Sequence, residues 1–309
     1  MSAPVRRSPT HSLHPSHSSH PSAPLRITPA LRRLVGQALR EDVGPGDATS
    51  IATVPPALPG TGRIFAKQAG VLCGLDVARE VFRIVDRSIR LTAAAHDGAV
   101  LKPGDDIARV TGPLRSILTG ERLALNFLQQ LSGVATLTRR YVDALRAAGS
   151  RIEVVDTRKT TPLWRELERH AVRVGGGRNH RFALYDMYLI KNNHADAAGG
   201  VGEALRRVAR HNARRRKRLP VAVEARNLDE VRDILAEGAD LILLDNMPPE
   251  AMAEAARLIG RRAKTEATGG VTLDNLERLA GLAVDRVSVG ALTHSAPALD
   301  IALHVGVPT

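Results

Sequence analysis

Apolar residues in the first half of the chain recur with two different spacings. After Thr28-Pro29 they follow a helical spacing up to Gly44, which predicts a first amphipathic helix. Segments 62–75 and 89–111 have the short apolar runs and turn residues that indicate strands, with a short helix over 76–86 between them. Helical spacing returns over 113–131 and 133–148, and we expect a break between these helices near Ser132-Gly133. The first half is therefore predicted to be α+β.

The second half alternates strand-like runs with helical patterns, at a spacing of about 20 to 30 residues. This alternation predicts a parallel sheet that is long enough to close as a barrel. Because six strands are clear rather than eight, we expect an incomplete α/β barrel of six to seven parallel strands. The six runs lie at 152–155, 188–190, 220–223, 241–244, 263–265 and 286–289.

These patterns divide the chain into three parts. Residues 1–27 are rich in Ser, Pro and His, and we expect a disordered tail. Residues 28–131 are predicted to form an N-terminal α+β open-sandwich domain, and residues 132–294 the α/β barrel catalytic domain. The terminal segment 295–309 is expected to pack back on the N-terminal domain.

The composition excludes several classes of protein. With 43% hydrophobic and 25% charged residues, the chain cannot be disordered throughout. The one cysteine, Cys73, excludes a disulfide framework and a multi-thiolate zinc site, and it is typical of a reducing compartment, so we expect a cytoplasmic location. No apolar stretch approaches the 18 residues of a membrane span, and no membrane partner is expected.

The net charge of +12 indicates anionic partners without identifying them. Residues 1–26 contribute three of these charges and the run 214–218 contributes five. We interpret the first segment as an inert tail, although its four regularly spaced histidines leave a metal-binding tract open, and its lack of acids leaves a transit peptide open. The second segment is interpreted as a solvated helix end, because cations are favoured there and no stacking aromatic lies nearby. We therefore expect no nucleic-acid partner.

Each of the six predicted strands is followed by charged or glycine-rich residues. In β/α barrels, the carboxyl ends of the strands meet at the face that holds the active site. The pattern therefore predicts one site at this face. Its residues, in strand order, are Asp156-Thr157-Arg158-Lys159-Thr160, Lys191-Asn192-Asn193-His194, Glu224, Asp245-Asn246, Glu266 with Thr268-Gly269-Gly270, and Gly290-Ala291-Leu292-Thr293-His294.

The residue types at these positions indicate the ligand. Four cations and His180 are predicted to form a pocket suited to carboxylates and phosphates. The four cations are Arg158, Lys159, Arg181 and Lys191. Glu224 and Asp245 beside these cations indicate Mg²⁺ or sugar hydroxyls. The glycines after the last two strands are typical of a phosphate held on backbone N–H groups. The sequence thus predicts a phosphate-containing polyanionic substrate and Mg²⁺.

Three positions have simpler interpretations as well. Asp245 could cap the helix entered at Pro248-Pro249, and His294 could be a buried core histidine. The three glycines at 175–177 could be only a flexible linker, but Arg178-Asn179-His180-Arg181 follows at once, so we expect a mobile cationic loop over the site.

Together these motifs resemble the quinolinate phosphoribosyltransferase family, the carboxylating nicotinate-nucleotide pyrophosphorylases. The resemblance extends from about residue 28 to the end. Beyond the strand ends, it rests on five further motifs: Glu41-Asp42 through Gly46-Asp47-Ala48-Thr49-Ser50, Thr119-Gly120-Glu121-Arg122, Leu131-Ser132-Gly133-Val134-Ala135-Thr136, Gly175-Gly176-Gly177-Arg178-Asn179-His180-Arg181 and Leu243-Leu244-Asp245-Asn246.

The resemblance implies transfer of phosphoribosyl from 5-phosphoribosyl 1-diphosphate to quinolinate, giving nicotinate mononucleotide, diphosphate and CO₂, a step of NAD biosynthesis. It implies the following roles: Arg158, His180 and Arg181 on the quinolinate carboxylates; Lys159 and Lys191 toward the diphosphate; Glu224 and Asp245 at the ribose hydroxyls and Mg²⁺; Thr268, Gly269, Gly290 and His294 around the 5-phosphate; and Arg122 from the neighbouring subunit of a homodimer. Lys159, Lys191, Glu224 and Asp245 are the implied catalytic residues.

The chain departs from the family pattern at two positions, and other functions stay open. Many members have an acid where this chain has Ala222, and Ser where it has Thr268. The alternatives are a related phosphoribosyltransferase acting on another acceptor, a Schiff-base aldolase that uses Lys159 or Lys191, and a basic nucleic-acid-binding protein.

Overall fold

The structure, a computed structural model, describes residues 24–306, so most of the expected tail at 1–27 lies outside the described residues. Leu25, just before the first helix, is buried in the core. The first half contains the elements α1 (Pro29–Val43), α2 (Ala48–Thr53), β1 (Pro59–Ala66), β2 (Gly70–Val71), α3 (Leu75–Val85), β3 (Arg90–Ala93), β4 (Val100–Leu101), β5 (Asp106–Pro113) and α4 (Leu114–Ala147).

Local chemistry fixes the ends of the first helix as the sequence predicts. The Thr28 hydroxyl accepts a hydrogen bond from the Leu31 N–H at 3.2 Å. Pro29 occupies the first turn, where a main-chain N–H would have no acceptor within the helix, so its missing N–H costs nothing. The helix ends at Gly44, whose φ of +51° is disfavoured for other residues. Leu31, Val35 and Leu39 lie on its buried face.

The main sheet of the first half is antiparallel and includes the last strand of the chain. Its order is β12-β1-β5-β3, where β12 is Ile301–Gly306. In the β1–β12 pair, Thr61 lies opposite Gly306 and Ala66 opposite Ile301. The C-terminal segment therefore completes an edge of the first sheet.

The expected helix break near Ser132-Gly133 is wrong, because α4 is continuous from Leu114 to Ala147. Both residues are buried inside this helix, and the Ser132 hydroxyl accepts the Cys73 N–H at 2.9 Å. A Cβ at Gly133 would lie 2.1 Å from the Pro297 carbonyl oxygen. The glycine thus permits a close approach of the C-terminal segment, and the expected domain boundary at 131/132 falls within one helix that both halves share.

The second half forms a six-stranded sheet of order β6-β11-β10-β9-β8-β7, in which every pair is parallel. The edge strands β6 and β7 do not pair with each other, so the barrel is incomplete. The predicted fold class, an incomplete α/β barrel with an N-terminal α+β domain, is confirmed. Its elements are β6 (Glu153–Val155), α5 (Arg165–Val174), β7 (Tyr188–Ile190), α6 (Asn192–Ala198), α7 (Val201–Ala213), β8 (Val221–Ala225), α8 (Leu228–Glu237), β9 (Leu241–Asp245), α9 (Pro249–Ile259), β10 (Lys264–Thr268), α10 (Leu276–Ala280), β11 (Arg286–Ser288) and α11 (Ala291–His294).

The segment 175–181 is packed rather than the mobile loop expected from its glycines. Cβ atoms at Gly175 and Gly177 would lie 2.5 Å from the Ala135 carbonyl oxygen and 2.8 Å from Thr138 Cγ2, both on α4. Arg178 then forms a parallel bridge with Val155, which extends the sheet beside β6. These glycines serve close packing against a helix, so the expectation of mobility is wrong.

The basic run 214–218 lies away from the predicted site. It follows α7 and precedes β8, so it lies at the amino ends of the parallel strands, whereas the site residues follow the carboxyl ends. All five side chains are exposed. Among residues 24–306, no helix combines the length and apolar character needed to cross a bilayer.

A buried polar junction connects the N-terminal domain to α5 of the barrel. Asp97 accepts the N–H groups of Gly74 and Leu75 and lies 3.4 Å from His170 Nε2, while the Arg173 guanidinium lies 3.5 Å from His170 Nδ1. The fully buried Cys73 is the third potential metal ligand here. Burial and the Asp97 charge raise the pKa of this thiol well above its usual value. A protonated thiol beside a guanidinium is a poor cation site, so we interpret the cluster as an interdomain contact.

Candidate active site

Side chains inside the barrel change from apolar to charged along β8 and β9. Ala222, Leu241 and Leu243 form a small buried cluster that is separate from the main core. Alternate residues of a strand share a face, so Glu224 and Asp245, two positions further along β8 and β9, lie on the same face at its carboxyl end. Ala222, one of the two departures from the family pattern, therefore lies beneath Glu224 in the apolar layer.

One side of the site is a network of two carboxylates, one lysine and one amide. Lys191 Nζ lies 2.9 Å from Glu224 Oε1, and the Asn192 N–H donates to Glu224 Oε2 at 3.0 Å. Asn192 Nδ2 donates to Asp245 Oδ2 at 2.9 Å. The Glu224 side chain is only 11% exposed, so this network fixes it. The structure thus brings together Lys191, Glu224 and Asp245 as the sequence predicts.

Asn192 has a larger part in this network than the sequence indicated. The sequence places it only in a strand-end motif, and its position directly after Lys191 is the one available signal. Its Oδ1 atom is buried without a hydrogen-bond partner among the described residues. The alternative interpretation of Asp245 as a helix cap is wrong, because α9 has no side-chain cap and Asp245 also accepts from Asn246 Nδ2 at 3.1 Å.

The other side of the site contains cations without counter-ions. Arg158, Lys159 and Arg181 form no ion pair with any residue in the described range 24–306, and Arg158 Nε is buried without a hydrogen-bond partner. Burial lowers the pKa of Arg181, and the adjacent Arg158 charge lowers it further, while the charges of Asp186 and Glu224 oppose this. Two adjacent guanidinium groups repel each other, so this side favours an anionic ligand.

A buried network holds the main chain of this cationic side. Asp156 is fully buried and accepts the His180 N–H at 2.7 Å. Arg169 donates to the carbonyl oxygens of His180 and Arg181 at 2.8 and 3.2 Å, and lies 3.5 Å from Asp156 Oδ1. Burial raises the pKa of Asp156, with the Arg169 charge as the main opposing effect. Asp156 belongs to a strand-end motif, but the spacing of that motif does not predict that its side chain holds the main chain of His180.

The glycine-rich side combines the last two strands with Lys159. A Cβ at Gly290 would lie 3.0 Å from Lys159 Cδ and 3.1 Å from His294 Nε2, so all three residues meet there. The His294 side chain is exposed, which excludes its alternative interpretation as a core histidine. Gly269 has a φ of +96°, and its neighbour Thr268 accepts a hydrogen bond from the Ser288 hydroxyl at 2.9 Å.

Arg122 is the one predicted site residue that the structure leaves apart. It lies on α4 in the N-terminal domain, where its side chain is exposed. Within residues 24–306 it has no hydrogen bond or ion pair with any strand-end residue.

This arrangement disfavours one of the alternative functions. A Schiff-base lysine loses its proton in a desolvated pocket or beside another cationic group. The Lys191 side chain is 52% exposed and paired with Glu224, and Lys159 is exposed as well. Neither lysine therefore lies in a desolvated pocket, and the unpaired cations opposite two carboxylates suit a polyanion that also has hydroxyl groups.

Two family models match the chain in succession. The N-terminal domain of quinolinate phosphoribosyl transferase matches residues 47–132, and the C-terminal domain matches residues 134–304. The two matches meet inside α4, at the residue that packs against Pro297.

Curated proteins and solved structures give the same relationship. A probable carboxylating nicotinate-nucleotide pyrophosphorylase from Bacillus subtilis is 40% identical over 275 residues, which cover 89% of this chain and 93% of that protein. A chloroplastic enzyme of the same name from rice is 38% identical, with 91% and 79% covered. The crystal structure of NadC from Streptococcus pyogenes has a TM-score of 0.87 at 41% identity and covers 93% of this chain and all of that one.

The succession of strand ends, the matched domains and these relatives lead to the same assignment. The chain belongs to the quinolinate phosphoribosyltransferase family.

Proposed function

We propose that the protein transfers phosphoribosyl from 5-phosphoribosyl 1-diphosphate to quinolinate with decarboxylation. The products are nicotinate mononucleotide, diphosphate and CO₂, and the enzyme is a pentosyltransferase of NAD biosynthesis. Its relatives are named carboxylating pyrophosphorylases or decarboxylating quinolinate phosphoribosyltransferases, which supports this reaction.

The observation that best supports quinolinate as the acceptor is the pair formed by Arg158 and Arg181. Both guanidinium groups lack an ion pair with any residue in 24–306, and one buried donor, Arg158 Nε, has no hydrogen-bond partner in that range. Guanidinium groups bind carboxylates through two parallel hydrogen bonds. Two of them with Lys159 nearby suit the two adjacent carboxylates of quinolinate better than the single carboxylate of nicotinate.

The reaction needs electrostatic stabilisation rather than a protein nucleophile. The pyridine nitrogen attacks the anomeric carbon, the bond to diphosphate breaks, and positive charge develops on the ribose. Loss of CO₂ from the carboxylate beside the ring nitrogen then leaves an electron pair on that ring carbon, which takes a proton. Lys159 and Lys191 would balance the charge of the leaving diphosphate, and the arginines would hold the ring in position for attack.

The acidic side of the site has donors that fit Mg²⁺. Glu224 and Asp245 offer carboxylate oxygens from adjacent strands, and the Asn192 Oδ1 beside them has no partner among residues 24–306. Mg²⁺ binds through one or two carboxylates and completes its shell with phosphate oxygens and water. When bound, it would neutralise charge on the diphosphate. Glu224 and Asp245 would hold it, and they would also accept from the ribose hydroxyls.

A substrate comparison tests this proposal. Purified protein with 5-phosphoribosyl 1-diphosphate and Mg²⁺ is expected to convert quinolinate to nicotinate mononucleotide, and to give no nucleotide from nicotinate. Nucleotide formation by liquid chromatography is the measurement. A folded protein that uses nicotinate but not quinolinate would favour the related phosphoribosyltransferase instead.

The edge of the site exposes apolar residues that suggest a second copy of the chain. Leu163, Leu184 and Tyr185 are 81%, 70% and 69% exposed, and Arg165 connects their two loops through a hydrogen bond to the Phe182 carbonyl. Exposed apolar side chains grouped in this way are typical of an interface. A homodimer in which a neighbour covers this edge would also bring in Arg122, which lies apart from the strand ends of its own chain.

Mixing two inactive variants tests this shared site. Arg122→Met and Arg158→Met homodimers are each expected to have very low activity. When equal amounts are dissociated and reassociated, half of the dimers combine one chain of each kind. If Arg122 acts across the interface, one site of each hybrid has neither substitution, so activity returns to about a quarter of wild type.

The same mixture can contradict the proposal. If Arg122 serves its own chain, every site has one substitution and activity stays at the level of the parents. A wild-type protein that sedimentation shows to be monomeric while fully active would also exclude a shared site.

A cytoplasmic location is also part of the proposal. Its support is the single cysteine, Cys73, which is buried as a free thiol.

A further inference from the structure

Glu266 is a buried carboxylate at the site that the proposed reaction does not use. It lies on β10, fully buried, and its Oε2 atom is 2.7 Å from Arg286 Nε and 3.5 Å from His180 Nε2, although neither contact has the geometry of a hydrogen bond. An ionised carboxylate in the interior is costly unless charged or hydrogen-bonding groups surround it. Burial alone would raise the pKa of Glu266, but the adjacent His180 ring and the Arg286 charge outweigh it and lower the pKa. The carboxylate is therefore ionised at neutral pH.

The hydrogen bonds of His180 determine which of its ring nitrogens has the proton. The main-chain N–H of Arg181 donates to His180 Nδ1 at 2.7 Å, so Nδ1 is an acceptor and bears no hydrogen. The ring proton is then on Nε2, the nitrogen that faces Glu266. The ring is held from both sides, by Glu266 at Nε2 and by the next residue's main chain at Nδ1.

This arrangement couples Glu266 to Arg181. The other tautomer would place an N–H on Nδ1 against the N–H of Arg181, and the two donors would repel each other. Arg181 would then lose one of the contacts of its main chain, although Arg169 would still donate to its carbonyl at 3.2 Å and Asp156 would still hold the His180 N–H at 2.7 Å. The Arg181 guanidinium, which donates to the Met187 carbonyl at 3.1 Å, follows the position of that main chain.

We propose that Glu266 is a positioning residue for the quinolinate-binding side of the site. It holds His180 in the Nε2–H tautomer, and His180 in turn fixes Arg181 through Nδ1. The identity of the ligand rests on the proposed function, but the tautomer does not.

A purely structural role for Glu266 would be to neutralise Arg286, and the two roles can be separated. Arg286→Met removes that partner and leaves Glu266 facing His180. The double variant Glu266→Leu/Arg286→Met removes both charges together, so it leaves no unpaired charge in the interior. Only the double variant takes away the negative charge that faces His180 Nε2.

The kinetic test compares these two variants with wild type. For the double variant we expect the KM for quinolinate to rise about tenfold, since displacement of a binding group weakens its contacts. The KM for 5-phosphoribosyl 1-diphosphate should change less than twofold, and Arg286→Met should leave both values near wild type. Equal KM values for quinolinate in the two variants would overturn the proposal.

Nitrogen NMR gives a second measurement that does not need activity. His180 is assigned by comparison with a His180→Asn sample. Wild type and Arg286→Met should show the Nε2–H tautomer alone, and the double variant should show both tautomers. Detection of the Nδ1–H tautomer in wild type would overturn the proposal. An inactive wild type with the expected tautomer would instead contradict the proposed function and leave this inference intact.

Discussion

Replacement of Arg158 by methionine is expected to reduce kcat/KM for quinolinate by about 10²-fold to 10³-fold. The side chain keeps an unbranched apolar stem but loses the guanidinium, whose Nε is buried without a partner among the described residues. A substrate carboxylate that binds there would face Arg181 alone. Initial rates at varied quinolinate, with 5-phosphoribosyl 1-diphosphate saturating, are the measurement.

Two further variants make this prediction specific. Arg158→Lys keeps the charge but loses the planar pair of donors, so its loss should be intermediate. Arg178→Met is the matched control, because Arg178 lies near the same strand but its half-exposed side chain pairs with Glu153. We expect the control to stay within twofold of wild type. A similar loss in the control, or a threefold loss or less in Arg158→Met, would contradict the assigned role of Arg158.

The second large effect is expected at Gly133, on stability rather than catalysis. In an ordinary helix interior, alanine in place of glycine stabilises by about 1 kcal/mol. At this position the new methyl group would lie 2.1 Å from the Pro297 carbonyl oxygen and 3.1 Å from Ala298 Cα. Overpacking of this kind costs about 1–3 kcal/mol. We therefore expect Gly133→Ala to lower the midpoint of thermal unfolding.

Gly36→Ala in α1 is the matched control for that experiment. Its Cβ would contact only Arg40 Nη1, at 3.8 Å, so the gain in helix propensity has nothing to oppose it. Scanning calorimetry should show opposite shifts for the two variants. A higher midpoint for Gly133→Ala would mean that the C-terminal segment does not pack closely on α4.

The contrast between these two glycines shows a limit of the sequence pattern. Ser132-Gly133 in a long helical stretch has the same local chemistry as a helix end, and it predicts a break. What decides the outcome is Pro297, more than 160 residues away along the chain. Periodicity contains no information about such a partner. The same explanation applies to Gly175 and Gly177, which pack against α4 instead of providing mobility.

The strand ends were predictable for a physical reason. Short apolar runs mark buried parallel strands, and in this fold the residues after each strand must meet at one face. Lys191, Glu224 and Asp245 could therefore be placed together from sequence, and the structure confirms that they meet. Short polar elements gave no such signal: α2, whose first turn is capped by Asp47, was not predicted.

The supporting side chains were harder to predict than the site itself. Glu266 lies in the middle of β10, and its side chain lies in the barrel interior near His180 and Arg286. Asn192 reaches Asp245 across the space between β7 and β9. Both positions depend on which strands are neighbours and how they are staggered. The sequence places both residues in strand-end motifs, but it does not predict which side chains they contact.

Release of labelled CO₂ tests the central claim most directly. Quinolinate labelled in the carboxylate beside the ring nitrogen is incubated with the protein, 5-phosphoribosyl 1-diphosphate and Mg²⁺. The account predicts one CO₂ for each nicotinate mononucleotide formed, and none when the phosphoribosyl donor is omitted. Nucleotide without CO₂, or neither product from a folded protein, would contradict the assigned reaction.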